Sequence, residues 1–193
     1  EVKTIGKHTV YRHRKMVILI HAAAGAKSLE QVKKTLNKKR AFHAIQIVAY
    51  PHPAHLREFQ EAQEGLRAAG PARDYPRSIG SIELDVHPER LIEIQHIQSH
   101  YSTSNARPLP RGLATRYAGW RVHALRHALQ LAREFQRPLY IPKDVLYPRL
   151  MIYQKTVKKT QLHRDLLRVC KELGFKMKKV PDGDKEFIIT SLK

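Results

Sequence analysis

A single cysteine, Cys170, occurs in 193 residues. No disulfide can form within the chain, and a reducing, cytoplasmic setting is the expectation. Acids are scarce: 17 Asp and Glu stand against 36 Lys and Arg, for a formal charge of +19. Self-repulsion at that level is a cost, and a domain this basic is expected to meet phosphate, most often on nucleic acid. Long apolar runs are missing too. The longest, Met16 to Ile20, has the length of a strand, so no membrane partner is expected, and no segment reads as a signal peptide. There is no P-loop, no G-x-G-x-x-G turn, no recognisable Ser or Cys nucleophile motif, no internal repeat and no low-complexity tract. Twelve histidines are present, and His123 and His127 stand at the i, i+4 spacing. None falls in an H-E-x-x-H motif or beside a cysteine, so no metal is expected.

What is present alternates between strand and helix signals, enough for one α/β domain over residues 1–193. Residues 1–15 form a basic amino-terminal arm. Met16 to His21 reads as a buried strand, and Ser28 with Gln31 three residues on is a capping-box signal for a helix to about Arg40. Lys33 and Lys34 on that helix are candidate nucleic-acid contacts, although cations near a helix C-terminus also suit its dipole. His43 to Tyr50 is a second strand, completing either a βαβ or a βα-hairpin unit. A helix is expected from Ala54 to Ala69, capped by Gly70. Ile79 to Val86 and Leu91 to Gln98 then read as a hairpin around His87 to Arg90, followed by a proline-rich insertion over residues 99–115.

From Arg116 to Glu134 a helix is expected, with Val122, Leu125, Leu129, Ala132 and Phe135 inward. Between Ile94 and Arg133 there is no acid, and Arg107, Arg111, Arg116, Arg121, Arg126 and Arg133 fall inside. Arginines without lysine favour bidentate phosphate recognition, and Arg107, Arg111, Arg126 and Arg133 are candidate nucleic-acid contacts, RNA slightly before DNA. Trp120 suits either stacking on a base or anchoring the helix start in the core. Pro138 to Pro142 is a short strand, Leu162 to Leu173 a helix with Cys170 on its apolar stripe, and residues 175–192 a closing hairpin around Asp182-Gly183.

The turn Arg116-Tyr117-Ala118-Gly119-Trp120-Arg121, with Leu125 to Glu134 after it, resembles the cofactor turn and helix of the GNAT superfamily of acyl-CoA-dependent N-acetyltransferases. Leu166 to Phe175, ending in Gly-Phe, is similar to that family's last helix. Two positions depart from its pattern: Arg121 stands where the family has glycine or alanine, and Cys170 where a tyrosine commonly serves as general acid. The resemblance spans about residues 79–192. It implies a mixed, mostly antiparallel sheet flanked by helices, with acetyl-CoA held by the backbone of residues 116–121. It also implies a base on the strand that carries Glu93 and His96. Three apart in a regular strand, those two side chains are expected on opposite faces, so only one faces a cleft. Two functions follow as expectations: N-acetylation on or near a nucleic-acid-associated substrate, or non-catalytic RNA or DNA binding on a degenerate acetyltransferase fold.

Overall fold

A computed structural model describes residues 2–5, 8–14, 16–24, 29–35, 43–53, 78–87, 91–99, 117, 119–146, 160–180 and 185–191. Among these residues nine strands form one sheet: β1 (Val2–Ile5), β2 (His8–Arg12), β3 (Met16–Ala24), β4 (His43–Pro51), β5 (Gly80–Val86), β6 (Ile92–Ser99), β7 (Leu139–Pro142), β8 (Phe175–Lys179) and β9 (Lys185–Ser191). Their spatial order is β1-β2-β3-β4-β5-β6-β7-β9-β8. Every neighbouring pair is antiparallel except β6 and β7, which run parallel. The chain is thus α/β with a mixed, mostly antiparallel sheet. Because β3 and β4 are antiparallel neighbours, the unit from Met16 to Pro51 is a βα-hairpin and not βαβ.

Among the described residues four helices join the strands: α1 (Leu29–Thr35), α2 (Trp120–Glu134), α3 (Lys143–Leu146) and α4 (Gln161–Leu173). Alternation along β5 buries Ile82, Leu84 and Val86 and leaves Ser81, Glu83 and Asp85 half-buried, the period expected of a strand with one face in the core. Register places Ile45 beside Leu84, Ile47 beside Ile82 and Ala49 beside Gly80, so those residues share the apolar face. Onto it packs α2, with Ala124, Leu125, Ala128, Leu129, Leu131 and Ala132 buried. Each large apolar side chain so buried contributes roughly 1.5–3 kcal/mol against the entropy of ordering it.

α4 lies against α2 and is bounded by residues suited to its ends. Thr160 Oγ1 accepts from the His163 amide at 3.2 Å, and Gly174 closes the helix with φ +70°, where a side chain would be strained. Leu162, Leu166, Val169 and Cys170 face inward. Burial pushes the Cys170 thiol up to about 11, so it behaves as a packing group.

The amino-terminal arm is more ordered than its polar sequence suggests. β1 and β2 pair with one another, and β2 pairs with β3. Tyr11 stacks on His127 with ring centroids 4.1 Å apart, and His13 stacks on His123 at 4.3 Å. His13 Nε2 and His127 Nε2 are 3.3 Å apart, the separation of a hydrogen bond between neutral rings, one donating and the other accepting. Burial, followed by the charge of neighbouring groups, lowers both helix histidines from 6.5 to about 4, and burial lowers His13 as well. The neutral forms are favoured in the fold, so the unfolded chain binds more protons below about 6.5. Their stabilising contribution is present above pH 6.5 and is lost as pH falls from there through 4. Melting temperature is therefore expected to drop across that window, and His13→Gln with His127→Gln to flatten the drop. An equally steep pH profile in the double variant would show that the His13–His127 contact is not its source.

The helix expected over Ala54 to Ala69, the insertion past Ser99, and Arg107, Arg111, Arg116 and Ala118 lie outside the described residues, while Ser99 itself ends β6. No helix among the described residues is long and apolar enough to cross a membrane.

Candidate functional site

The parallel pair is where the sheet opens. β6 and β7 register at Ile92 with Leu139 and at Glu93 with Tyr140, and among the described residues they pair no further. β6 continues to Ser99 while β7 ends at Pro142, and past Glu93 β6 has no registered partner on β7 among the described residues. Open sheets take ligands at such a place, in the crevice beyond the carboxyl ends of parallel strands.

α2 begins at that end of the crevice. The Trp120 ring lies over Gly80, and Gly80 registers with Ser99 at the end of β6. Trp120 is 1% exposed, so it anchors the helix start in the core rather than offering a stacking surface. Gly119 is the N-cap, with no side-chain cap and no acid in the first turn. The first-turn amides of a helix have no intrahelical acceptor, and they carry the positive end of the dipole. A Cβ built on Gly119 meets nothing within 4 Å, and its φ of −80° suits any residue. Neither packing nor backbone conformation requires glycine here; close approach of a ligand would.

A β-bulge sets the polar face of the β5–β6 pair. Glu83 registers with His96 and Leu84 with Ile94, leaving Gln95 as an extra residue in β6. The extra residue shifts the alternation by one. Ile92, Ile94 and Ile97 face the core, while Glu93 and His96 share the opposite face, which corrects the expectation that only one of them fronts a cleft. Register adds Asp85 directly across from Glu93 and Glu83 across from His96. Like charges directly opposite in a sheet oppose pairing, so Asp85 and Glu93 are not there to hold the strands together. Burial, then Glu83 and Glu93 beside it, raise the Asp85 carboxyl above the ordinary carboxylate range, against the pull of His87 and His96. His87 Nε2 stands 3.5 Å from Glu93 Oε2. Glu83, Asp85 and His87 are additions to the sequence-derived pair. The alternation of Glu83 and Asp85 across a short hairpin from Glu93 is the signal that points to them. No group of three or more His, Cys, Asp or Glu among the described residues is placed to hold a metal ion.

Several expected phosphate contacts are engaged elsewhere. Arg121 Nη2 reaches Asp165 Oδ2 on α4 at 3.4 Å. Arg126 donates twice to Glu172 Oε2, at 2.7 and 3.0 Å. Arg133 donates to the Leu173 carbonyl and to Ser191 Oγ, with its guanidinium 4.6 Å above the Phe175 ring. Lys33 pairs with Glu134 at 2.9 Å, while Lys34 is exposed. The arginines of α2 therefore fasten it to α4. Solvent screens pairs of this kind, so they fix register more than they add stability.

No family model matches the chain, and neither the curated proteins nor the solved structures contain a match to it.

Proposed function

We propose that the chain is an acyl-CoA-dependent N-acetyltransferase of GNAT-like architecture, acting on or near a nucleic-acid-associated amine. One observation carries this reading: an uncapped helix start with an open glycine lies near the carboxyl end of β6, the strand that pairs with β7 only as far as Glu93 and bears a carboxylate-histidine cluster on the face away from the helix. The backbone of residues 119–122 would hold the pyrophosphate of acetyl-CoA, which supplies an acyl group activated as a thioester. The backbone edge of β6 past Glu93 suits an extended amide-bearing arm, which pairs as an added strand does.

The remaining requirements fall on the chain's own side chains. An amine acceptor arrives as a cation, and the Asp85–Glu93 pair offers it negative charge in a protein of formal charge +19. The acceptor must lose a proton before its nitrogen lone pair can attack. Asp85, whose proton affinity is raised, and Glu93 are the bases in reach of one another, with His96 on the same face. The buried Cys170 thiol faces the core and is not assigned the acid role. Titration of acetyl-CoA into protein freed of nucleic acid tests the cofactor half, and loss of amine acetylation on neutralising the carboxylates tests the chemical half.

The second reading, a non-catalytic nucleic-acid binder on the same architecture, is favoured by Arg121, which stands in the first turn of α2 where the resembling family has glycine or alanine.

A further inference from the structure

Residues 160–180 carry six cations, Arg164, Arg168, Lys171, Lys176, Lys178 and Lys179, against two acids, Asp165 and Glu172. Asp165 turns to the interface with α2, where it meets Arg121, while Glu172 lies between Arg126 of α2 and Arg168 of α4, which donates to it at 3.1 Å. The outer side of α4 keeps a net positive charge, with Arg164 and Lys171 exposed beside an Arg168 that is shared with Glu172. Arg164, Arg168 and Lys171 are exposed and stand at i, i+4 and i+7, one stripe along the helix. The stripe runs toward Leu173, whose carbonyl accepts from Arg133. Arg133 in turn lines a cavity of about 590 Å³ with Gln136, Arg137, Thr190 and Ser191. Lys176 is exposed and registers with Thr190 at the cavity wall.

We propose that this track, from Arg164 along α4 to the cavity at Arg133 and Arg137, is where a nucleic-acid strand lies on the protein. It places the nucleic-acid half of the proposed function on a surface apart from the crevice, and it stands whether or not acetyl-CoA binds. The chemistry favours a polyphosphate chain over a lipid surface. Leu167, 37% exposed, is the single large apolar side chain exposed among the described residues, so there is little for an acyl phase to take up. Spaced cations along a helix suit the regular charge of a phosphodiester backbone, and hydroxyl and amide groups in the cavity suit a base or sugar. Contacts of this type read phosphate, so RNA and DNA are expected to bind comparably.

The test is fluorescence anisotropy with labelled single-stranded RNA of about 20 nucleotides, and with DNA of the same sequence, titrated between about 50 and 200 mM salt. The variant Arg164→Gln/Arg168→Gln/Lys171→Gln/Lys176→Gln is expected to lose affinity on the order of 100-fold at physiological salt. Its salt slope should shrink by about 3, at roughly 0.7 per phosphate on a single strand. Its acetyl-CoA affinity and melting temperature should match the parent, which separates this surface from the cofactor site. Lys143→Gln, an exposed cation on α3, serves as the control and should change neither affinity nor slope appreciably. Unchanged affinity and slope in the quadruple variant would overturn the proposal, as would binding to anionic phospholipid vesicles with none to either nucleic acid. Should the variant melt early, ultraviolet cross-linking of the parent protein to the RNA decides. Cross-links within residues 133–137, 160–180 or 185–191 support the track, and cross-links confined to other segments overturn it.

Discussion

Replacing Gly80 with alanine is expected to destabilise the protein by about 3 kcal/mol, the upper range for overpacking a filled core. The added Cβ would stand 2.5 Å from Trp120 Cζ2, 2.7 Å from Trp120 Cε2 and 2.6 Å from the Gln98 carbonyl oxygen. None of these can yield cheaply. The indole is 1% exposed within the core, and the carbonyl belongs to the strand that pairs with β5. The strain reaches the crevice, because Trp120 is the first residue of α2 and holds its amino end against the sheet. Urea unfolding measures the loss. Trp120→Phe, costly alone, should cost less when Gly80 is already alanine, since the smaller ring withdraws the clashing atoms. A loss below about 1 kcal/mol for Gly80→Ala would mean that the indole does not sit over this glycine.

Glu93→Gln and Asp85→Asn are each expected to slow amine acetylation by roughly 10²- to 10⁴-fold, with KM for acetyl-CoA little changed. The two carboxylates oppose one another across the β5–β6 hairpin, and His87 lies beside Glu93. Removing either charge relieves repulsion between neighbours, so folding stability should hold or rise while turnover falls. That combination separates a chemical role from a structural one, because a purely structural carboxylate would lower both. Because the Asp85 carboxyl holds its proton above the ordinary range, the acid limb of the rate profile should lie higher in pH than an ordinary carboxylate would place it. In Asp85→Asn that limb should move to lower pH or vanish. Turnover within a few-fold of the parent in both variants would remove this cluster from the chemistry.

The sequence carries most of the fold in its periodicities. The hairpin of β5 and β6, the long helix before β7 and the carboxyl-terminal helix and hairpin are legible as alternation, helical spacing and turn residues. The pairing of β1 and β2 is not, because an edge ribbon of polar residues has no apolar alternation to show, and Tyr11 and His13 gain their packing only from α2. The common face of Glu93 and His96 is hidden for another reason. Their spacing of three reads as opposite faces unless Gln95 is known to be extra, and that depends on the register with β5. Arg121, Arg126 and Arg133 read as a phosphate surface because their acidic partners Asp165 and Glu172, and the Leu173 carbonyl, lie 40 or more residues away in the chain. Gly119 is the converse case. Its place in a turn is legible, while the open space where its Cβ would stand is visible only in three dimensions.

The most direct measurement is calorimetric titration of acetyl-CoA into protein freed of nucleic acid, with Gly119→Leu beside it. Micromolar binding is expected in the parent, and at least tenfold weaker binding in the variant, a loss of about 1.4 kcal/mol or more. The variant's melting temperature should be unchanged, because open space surrounds the Cβ position. Absence of binding heat at several temperatures, or equal affinity in a well-folded Gly119→Leu protein, would contradict a cofactor site at the start of α2.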